Sequence, residues 1–341
     1  MIVVMTLFIG VGYSYLNSSL EMNGSAKVKS CNSILNIYEQ MKCKSAIDNK
    51  ASKYVSDSTG IKYRSPASNT NGRGVYLRAN TQNNTYPIYY YRGEVYDNNI
   101  LFANICWKIV RTTDTGGIKM VYNGLPTNGM CNSTNVTIGK SVFNTDRSIY
   151  SVGYMYDNYD YSDGNGLVSY NTYNSPIKDM VDTWYQNNLI PYESYLEDTI
   201  FCNDRSFYLK PGEFNGNFSV PGKFAGENVI DFNCPRTQDA FTVSQTKGNG
   251  KLKYPIALLD QMEISAAGSG YSSNLYLSTS EAFWSLSPYK SDYVFFAQEN
   301  KYPLMATMAD YSQGVRPAVA LKPNTYIKSG DGTANNPFRI N

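Results

Sequence analysis

Histidine is absent from all 341 residues of the chain. Its absence excludes Ser-His-Asp and Cys-His catalysis in the forms in which these are usually built. It also removes the commonest transition-metal ligand and the usual acid–base group near neutral pH. An enzyme made from this chain would therefore have to work with carboxylates, tyrosine, lysine or cysteine.

Charged residues are also scarce. They make up 17% of the chain, against about a quarter in ordinary globular domains. The net charge is +2, and no run or stripe of lysine and arginine is present. The electrostatic footprint of a nucleic-acid-binding protein is therefore missing, and we expect no nucleic-acid partner.

Neutral polar residues take the place of charges, and tyrosine stands out with 31 copies against 14 phenylalanines and 3 tryptophans. One interpretation is an adhesive surface, because tyrosine offers a large amphipathic contact area and asparagine offers adaptable hydrogen bonds. The other is a compositional bias from AT-rich codons, which raises the content of both residues. The sequence leaves both interpretations open.

The segment Ile2–Leu16 is apolar and carries no charge. Its length matches the apolar region of a signal peptide and is shorter than the roughly 20 residues of a full membrane span. No basic region and no clear cleavage site flank it, so removal and retention as an anchor both stay open; a buried strand or helix is the alternative. We expect residues 1–20 to be a signal peptide or membrane anchor, and the protein to lie outside the cell or on its surface.

Six cysteines are dispersed along the chain, and none forms a Cys-x-x-Cys motif. Zinc-ribbon and thioredoxin-like interpretations therefore fail. An even number of dispersed cysteines in an exported chain predicts disulfides, although six cysteines allow 15 connectivities and reduced, buried cysteines are the alternative. The simplest pairing is local in sequence: Cys31–Cys43, Cys106–Cys131 and Cys202–Cys234.

Residues 21–74 are typical of a stalk or helical linker. Apolar residues at helical spacing, from Ile34 to Met41, predict a short helix. The turn-rich segment Ser65–Gly74 predicts a linker.

Strand patterns dominate from residue 75 to residue 341, which we expect to be one globular domain. The run Ile100–Val110 is long and β-rich, and a Gly-containing turn separates it from a second apolar run over Ile118–Tyr122, which predicts a hairpin. Two helices interrupt the strands. The first has Ser175 and Pro176 at its start, and the second has Asp260 and Glu263 at capping-box spacing.

Several motifs carry a resemblance to a known group of proteins. They are Tyr89–Val95, Phe102–Arg111, Met120–Gly124, Phe201–Ser206, Ala282–Pro288, Gly314–Ala318 and Ser329–Pro337. In these motifs residues 75–341 resemble uncharacterised exported surface proteins of Gram-positive bacteria (Firmicutes). The part from Trp284 to Ala318 is similar to domains of unknown function that are grouped with the C-type-lectin-like fold and with formylglycine-generating enzymes.

The resemblance implies an α+β fold: a C-type-lectin-like domain with two helices and twisted antiparallel sheets. It also implies that Arg316, in the Gly-x-Arg-Pro motif, is an internal structural residue, and we expect Trp107 and Trp184 to be structural too. The active-site cysteine pair of formylglycine-generating enzymes and the sugar-binding calcium motifs of C-type lectins are not recognisable. We therefore expect no metal and no cofactor.

Acidic residues offer weak candidates for chemistry. Asp157, Asp160 and Asp163 invite a calcium site, but their spacing misses the EF-hand pattern and an Asx-turn loop explains them as well. Asp331, between two glycines, fits a tight turn. Glycosidase chemistry needs two carboxyl groups close in space, and the sequence does not identify such a pair among Glu193, Glu197, Asp198 and Glu281.

An aromatic cluster near the C-terminal end is the best candidate for a binding site. It spans Phe283 to Phe296, and strand alternation would place some of its rings outside the core. Exposed rings stack on sugars or grip peptides, although core packing is the alternative. The residues predicted to bind are Trp284, Tyr289, Tyr293 and Phe295.

Together these features predict an exported cell-surface binding or adhesion protein with no catalytic activity of its own. The expected partners are a surface glycan or protein ligand and, through the N-terminal segment, the membrane. Two alternatives remain: a structural component of an envelope or surface assembly, and an exported hydrolase that depends on carboxylates.

Overall fold

The computed structural model describes residues 31–47, 73–78, 86–146, 148–208, 218, 230–268, 275–298 and 305–340. These residues form a mostly-sheet α+β fold with few helices and largely antiparallel sheets. None of the described helices is both long and apolar enough to cross a bilayer. The predicted export segment, Ile2–Leu16, lies outside the described residues.

The α-helices within the described part of the chain are α1 (Ile37–Ile47), α2 (Pro176–Asn188) and α3 (Gln261–Ala266). The strands there are β1 (Gly74–Arg78), β2 (Ile88–Arg92), β3 (Asn99–Phe102), β4 (Ile105–Thr112), β5 (Ile118–Tyr122), β6 (Lys140–Val142), β7 (Met155–Tyr156), β8 (Tyr161–Ser162), β9 (Leu167–Val168), β10 (Tyr173–Asn174), β11 (Leu196–Glu197), β12 (Phe201–Cys202), β13 (Ala240–Phe241), β14 (Ile256–Leu258), β15 (Phe283–Lys290), β16 (Tyr293–Ala297), β17 (Met305–Met308), β18 (Ser312–Gly314), β19 (Pro317–Leu321) and β20 (Phe338–Arg339).

Two sheets organise the fold. The larger one has nine strands in the order β1-β2-β4-β5-β19-β11, with β14 also pairing with β19, β3 with β4, and β20 with β3. The second has five strands in the order β17-β16-β15-β18-β6. Its β15–β18 contact is parallel, whereas its other pairs are antiparallel. This arrangement brings residues far apart in sequence to one end of the five-stranded sheet.

The β-rich run Ile100–Val110 folds into two strands, β3 and β4, which are joined by a turn that its apolar pattern does not mark. Ala103 and Asn104 both have a φ of +56°, and they form the two-residue turn between β3 and β4. Positive φ at both central residues is the geometry of the tight hairpin turns that match strand twist. Asparagine tolerates this conformation but alanine rarely adopts it, and no glycine marks the turn in the sequence.

The predicted hairpin with a Gly-containing turn is confirmed. Strands β4 and β5 pair in antiparallel register, and the turn between them contains Gly116 at a φ of +86°. The next glycine is required for space, since a Cβ atom on Gly117 would lie 2.6 Å from the Leu321 carbonyl oxygen. The turn therefore tucks against the end of β19.

The two predicted helix starts are confirmed. The Ser175 side chain accepts a hydrogen bond from the Lys178 amide, and Pro176 occupies the first turn of α2. Asp260 and Glu263 form a complete capping box at the start of α3. Both caps satisfy backbone donors that a helix leaves unpaired at its first turn.

Helix α1 belongs to the globular body, so the stalk interpretation does not hold for residues 31–47. The helix begins at Ile37, later than predicted, because the Asn36 side chain accepts the Glu39 amide and caps it there. Ile37 and Met41 are fully buried in the main hydrophobic core. The Ile37 amide also donates to the carbonyl of Thr325, which ties this segment to the C-terminal part of the chain.

Three disulfides staple the fold, and the sequence-local pairing is the one observed. Cys31 joins Cys43, Cys106 joins Cys131, and Cys202 joins Cys234. No cysteine of the described residues is free. Disulfides of this number persist in oxidising compartments, which indicates an extracytoplasmic location for the folded protein.

Candidate functional site

A groove of about 470 Å³ opens at one end of the five-stranded sheet. Its volume falls within the range of about 300–1,000 Å³ that is typical of ligand sites. The residues lining it are mostly polar: Lys140, Ser280, Glu281, Ala282, Phe296, Gln298 and Gln313.

Strand pairing brings this lining together. Phe283, the first residue of β15, lies opposite Gly314 at the end of β18, and Gly314 lies opposite Lys140 at the start of β6. Strand β16 runs antiparallel to β15, so its last residues reach the same end of the sheet. Glycine is needed at position 314, because an added Cβ atom would lie 2.6 Å from the Ala282 carbonyl oxygen.

Packed aromatic rings form the support of the groove. The Trp284 ring lies edge-on to Phe296 and Phe143, with centroid distances of 6.3 and 5.7 Å. The Trp284 indole N–H donates to the Ser141 carbonyl oxygen at 2.8 Å. This hydrogen bond satisfies the only polar atom of the buried indole and joins β15 to β6. The Phe296 ring therefore lines the groove from a fixed position.

Several polar groups of the groove have no partner within the described part of the chain. The side chains of Lys140, Gln298 and Gln313 make no hydrogen bond or ion pair with a described residue. Glu281 receives one hydrogen bond from the Thr137 hydroxyl at 2.7 Å, on Oε2. Among the described residues, its other oxygen, the two amides and the ammonium group are therefore left without a hydrogen-bonding partner.

The four residues predicted to bind do not line the groove. Trp284 is fully buried, and Phe295 is 8% exposed. Phe295 packs edge-on against Tyr289 at 5.1 Å, within a second hydrophobic cluster. Tyr289 and Tyr293 are partly exposed, with the Lys290 ammonium over both rings. Binding by these two tyrosines stays a prediction, whereas the buried Trp284 ring cannot stack on a ligand from solvent.

Sequence reasoning missed Lys140, Gln298 and Gln313. No motif marks them, and they come from three strand regions that meet only in the folded sheet. Phe296 was within the predicted aromatic cluster, but its contact with the groove depends on its position near the end of β16. The alternation of β16 was the available signal, since it places Phe295 and Phe296 on opposite faces.

A second, much smaller pocket of about 20 Å³ contains more carboxylates. Asp204, Asp231 and Asp260 line it beside Cys202 and Ser287, together with Asn233 and Met262. Burial and the nearby charge of Glu263 raise the pKa of Asp260 to about 7. A space of this size admits a water molecule but not a sugar ring, so these carboxylates do not form a cleft for glycoside hydrolysis.

The other carboxylates considered from sequence have local structural contacts. Glu197 is buried, and its carboxylate accepts hydrogen bonds from the hydroxyls of Thr113 and Thr115. Burial raises the pKa of Glu197. Asp198 accepts the backbone amides of Val243 and Ser244, each at 2.8 Å. These contacts hold loops in place and leave the Glu197 carboxylate inaccessible to a substrate.

The remaining acidic motifs form turns. Asp157 and Asp163 each accept the amide two residues ahead, from Tyr159 and Asn165, which is the Asx-turn geometry. Asp331 likewise accepts the Thr333 amide at 3.0 Å. Across the described ranges, no three carboxylate or thiol side chains lie close enough together to hold a metal ion.

Trp107 and the partly buried Trp184 pack against each other at the core. Trp107 is fully buried, and its indole N–H donates to the Phe102 carbonyl at 3.2 Å. The two indole rings are 6.1 Å apart, and the Tyr122 ring contacts both edge-on. The cluster packs α2 against β4 and β5.

Arg316 is buried and donates three hydrogen bonds. They reach the carbonyl oxygens of Tyr122 at 2.7 Å and Leu277 at 3.0 Å, and the Asn123 side chain at 3.0 Å. The guanidinium also lies over the Phe283 ring at 5.1 Å. Burial lowers the pKa of Arg316 to about 10. Its contacts join the end of β5 to the segments that precede β15 and β19.

Comparisons with known proteins identify no relative of this chain. Searches with protein-family models, curated proteins and solved structures find no significant match to this chain.

Proposed function

We propose that this protein is an exported binding or adhesion protein that holds a sugar residue of a surface glycan in the groove. The observation that supports this proposal is a set of groove side chains without hydrogen-bonding partners within the described part of the chain. They are Lys140, Gln298 and Gln313, together with one carboxylate oxygen of Glu281. Sugar hydroxyls both donate and accept hydrogen bonds, and amides and carboxylates match them. The Phe296 ring supplies an apolar wall.

The three disulfides support action outside the cytoplasm. We place the protein at the cell surface, with Ile2–Leu16 as its export signal or membrane tether. The apolar character of that segment supports this placement.

A C-type-lectin-like assignment of residues 75–341 is part of the proposal. The α+β architecture with antiparallel sheets supports it at a coarse level. The buried position of Arg316, with bonds to two carbonyl oxygens, agrees with the role that the motif resemblance implies. The absence of recognisable calcium motifs means that any sugar binding proposed for this chain relies on the side chains of the groove.

A glycan-binding experiment tests the proposal. The full chain with intact disulfides is applied to an array of glycans and peptidoglycan fragments, and hits are measured by calorimetry. The double variant Gln298→Ala, Gln313→Ala should weaken binding at least tenfold, because it removes two hydrogen-bonding groups that contact the ligand. The variant Gln186→Ala, an exposed glutamine on α2, is the matched control. Binding that survives the double variant unchanged contradicts the groove assignment.

The structural-component alternative has one observation in its favour. Tyr159, Tyr161 and Tyr170 are 80%, 50% and 63% exposed, and exposed tyrosines are common in protein contacts. Sedimentation velocity at increasing protein concentration distinguishes the two functions. A strictly monomeric protein that binds glycan excludes the assembly version.

A further inference from the structure

The groove contains one positive and one negative group that do not pair with each other. Lys140 is exposed, and its ammonium forms no ion pair with a described residue. The Glu281 carboxylate is instead held by Thr137. Strand β18 lies between β15, which follows Glu281, and β6, which begins at Lys140. Two strand spacings place these strands about 10 Å apart.

We infer that the groove selects a sugar that carries a carboxylate, with this carboxylate against Lys140 and the sugar hydroxyls on Gln313, Gln298 and Glu281. The inference rests on the proposed function and names its ligand class. Lys140 decides the ligand class, because it is the one charged group of the groove that lacks any partner among the described residues. Glu281 already receives a hydrogen bond from a hydroxyl group.

The distance between the two charges decides the sign of the preference. Coulomb energy falls as the inverse of distance. A carboxylate in contact with Lys140, at about 3–4 Å, is therefore attracted more strongly than it is repelled by a Glu281 carboxylate that lies farther from it; the strands next to the two residues are two positions apart in the sheet. At physiological ionic strength the Debye length is about 8 Å, so screening weakens the longer repulsion further.

The opposite preference, for a sugar with an ammonium group, is less favoured. Such a ligand would have to pair with Glu281, where the Thr137 hydroxyl already occupies Oε2. It would also leave Lys140 without a counter-charge and add a second cation to the groove. Neutral sugars would bind through hydroxyl hydrogen bonds to Gln313, Gln298 and Glu281, without the ion pair to Lys140.

The test compares three matched monosaccharides on the full, disulfide-bonded chain, by NMR titration to millimolar concentrations. Glucuronic acid should bind about tenfold more tightly than glucose, the gain expected for one charge-assisted hydrogen bond. Glucosamine should not bind more tightly than glucose. The preference for glucuronic acid should disappear in Lys140→Gln and persist in Lys322→Gln, which removes an exposed lysine outside the groove. It should also shrink at high salt.

The outcomes separate this inference from the proposed function. Equal binding of glucose and glucuronic acid, or a preference for glucosamine, overturns the inference and leaves the sugar-binding groove in place. Retention of the acid preference in Lys140→Gln also overturns it, because the selectivity would then come from another group. Failure of all three sugars and of every glycan on the array contradicts the proposed function itself, and the inference falls with it.

Discussion

Replacing Glu263 by glutamine should destabilise the folded protein by about 3 kcal/mol. Glu263 is fully buried, and its Oε1 accepts from Arg111 Nε at 2.6 Å and from Lys119 Nζ at 2.7 Å. The variant leaves two buried cations without the carboxylate that they share. Breaking a buried ion pair by removing one partner typically costs 3–5 kcal/mol, because the remaining charge stays desolvated.

We expect a destabilisation at the lower end of this range of about 3–5 kcal/mol because of the neighbouring Asp260. The negative charge of Glu263 contributes to its raised pKa. Without that charge, Arg111 and Lys119 would lower the pKa of Asp260, and the ionised carboxylate would offset part of the loss. The glutamine can also still accept the Asp260 amide, so the capping interaction seen at 3.1 Å is retained.

Urea unfolding of the disulfide-bonded protein measures the effect. The control is Glu39→Gln, whose carboxylate is half-exposed and pairs with Lys42 at 3.4 Å; it should cost less than about 0.5 kcal/mol. The double variant Glu263→Gln, Lys119→Met should recover much of the loss, because it removes one uncompensated buried charge. A loss below about 1 kcal/mol for Glu263→Gln, or no recovery in the double variant, would refute the reasoning.

Two further predictions concern stability. Replacing Cys202 and Cys234 by alanine should lower the free energy of unfolding by about 2–4 kcal/mol, and by about 1 kcal/mol more than loss of the N-terminal disulfide, because it opens a loop of 32 rather than 12 residues. Equal losses in urea unfolding would contradict the loop-length argument. Burial raises the pKa of Glu197 in the folded state, so its stabilising contribution is present below its unfolded pKa and is lost as pH rises through the folded value. As pH rises from about 4, the ordinary pKa of a glutamate, the wild type should therefore lose more stability than Glu197→Gln, and parallel pH profiles would disprove this.

Local features of the fold were predictable from sequence. The caps at Ser175 and Asp260 depend on residues within one helical turn, and the β4–β5 hairpin depends on a glycine turn between two apolar runs. The disulfides also follow local order, since each cysteine joins its nearest neighbour along the chain. In each case the interacting groups lie close in sequence, so pattern and spacing carry the information.

Non-local packing accounts for the structural features that could not be predicted from the sequence. The turn at Ala103 and Asn104 needs positive φ at both residues, which the strand pairing on either side imposes on an alanine. The partners of the short apolar stripe of α1 are β1, β2 and the segment near Thr325, which lie far from it in sequence. The groove likewise depends on the parallel pairing of β15 with β18, which no local sequence pattern predicts.

The aromatic cluster explains why the proposed binding groups lie near strand ends and are not aromatic rings. Alternation along β16 does separate the rings, with Phe296 in the main core and Phe295 on the other face. That other face is not open to solvent, because a second hydrophobic cluster covers it. The two strands that carry the aromatic cluster, β15 and β16, are buried over most of their length, so they present polar groups mainly near their ends. In the five-stranded sheet those positions carry Lys140, Glu281 and Gln298, so hydrogen bonds and charge, rather than stacking, should determine which ligand the groove accepts.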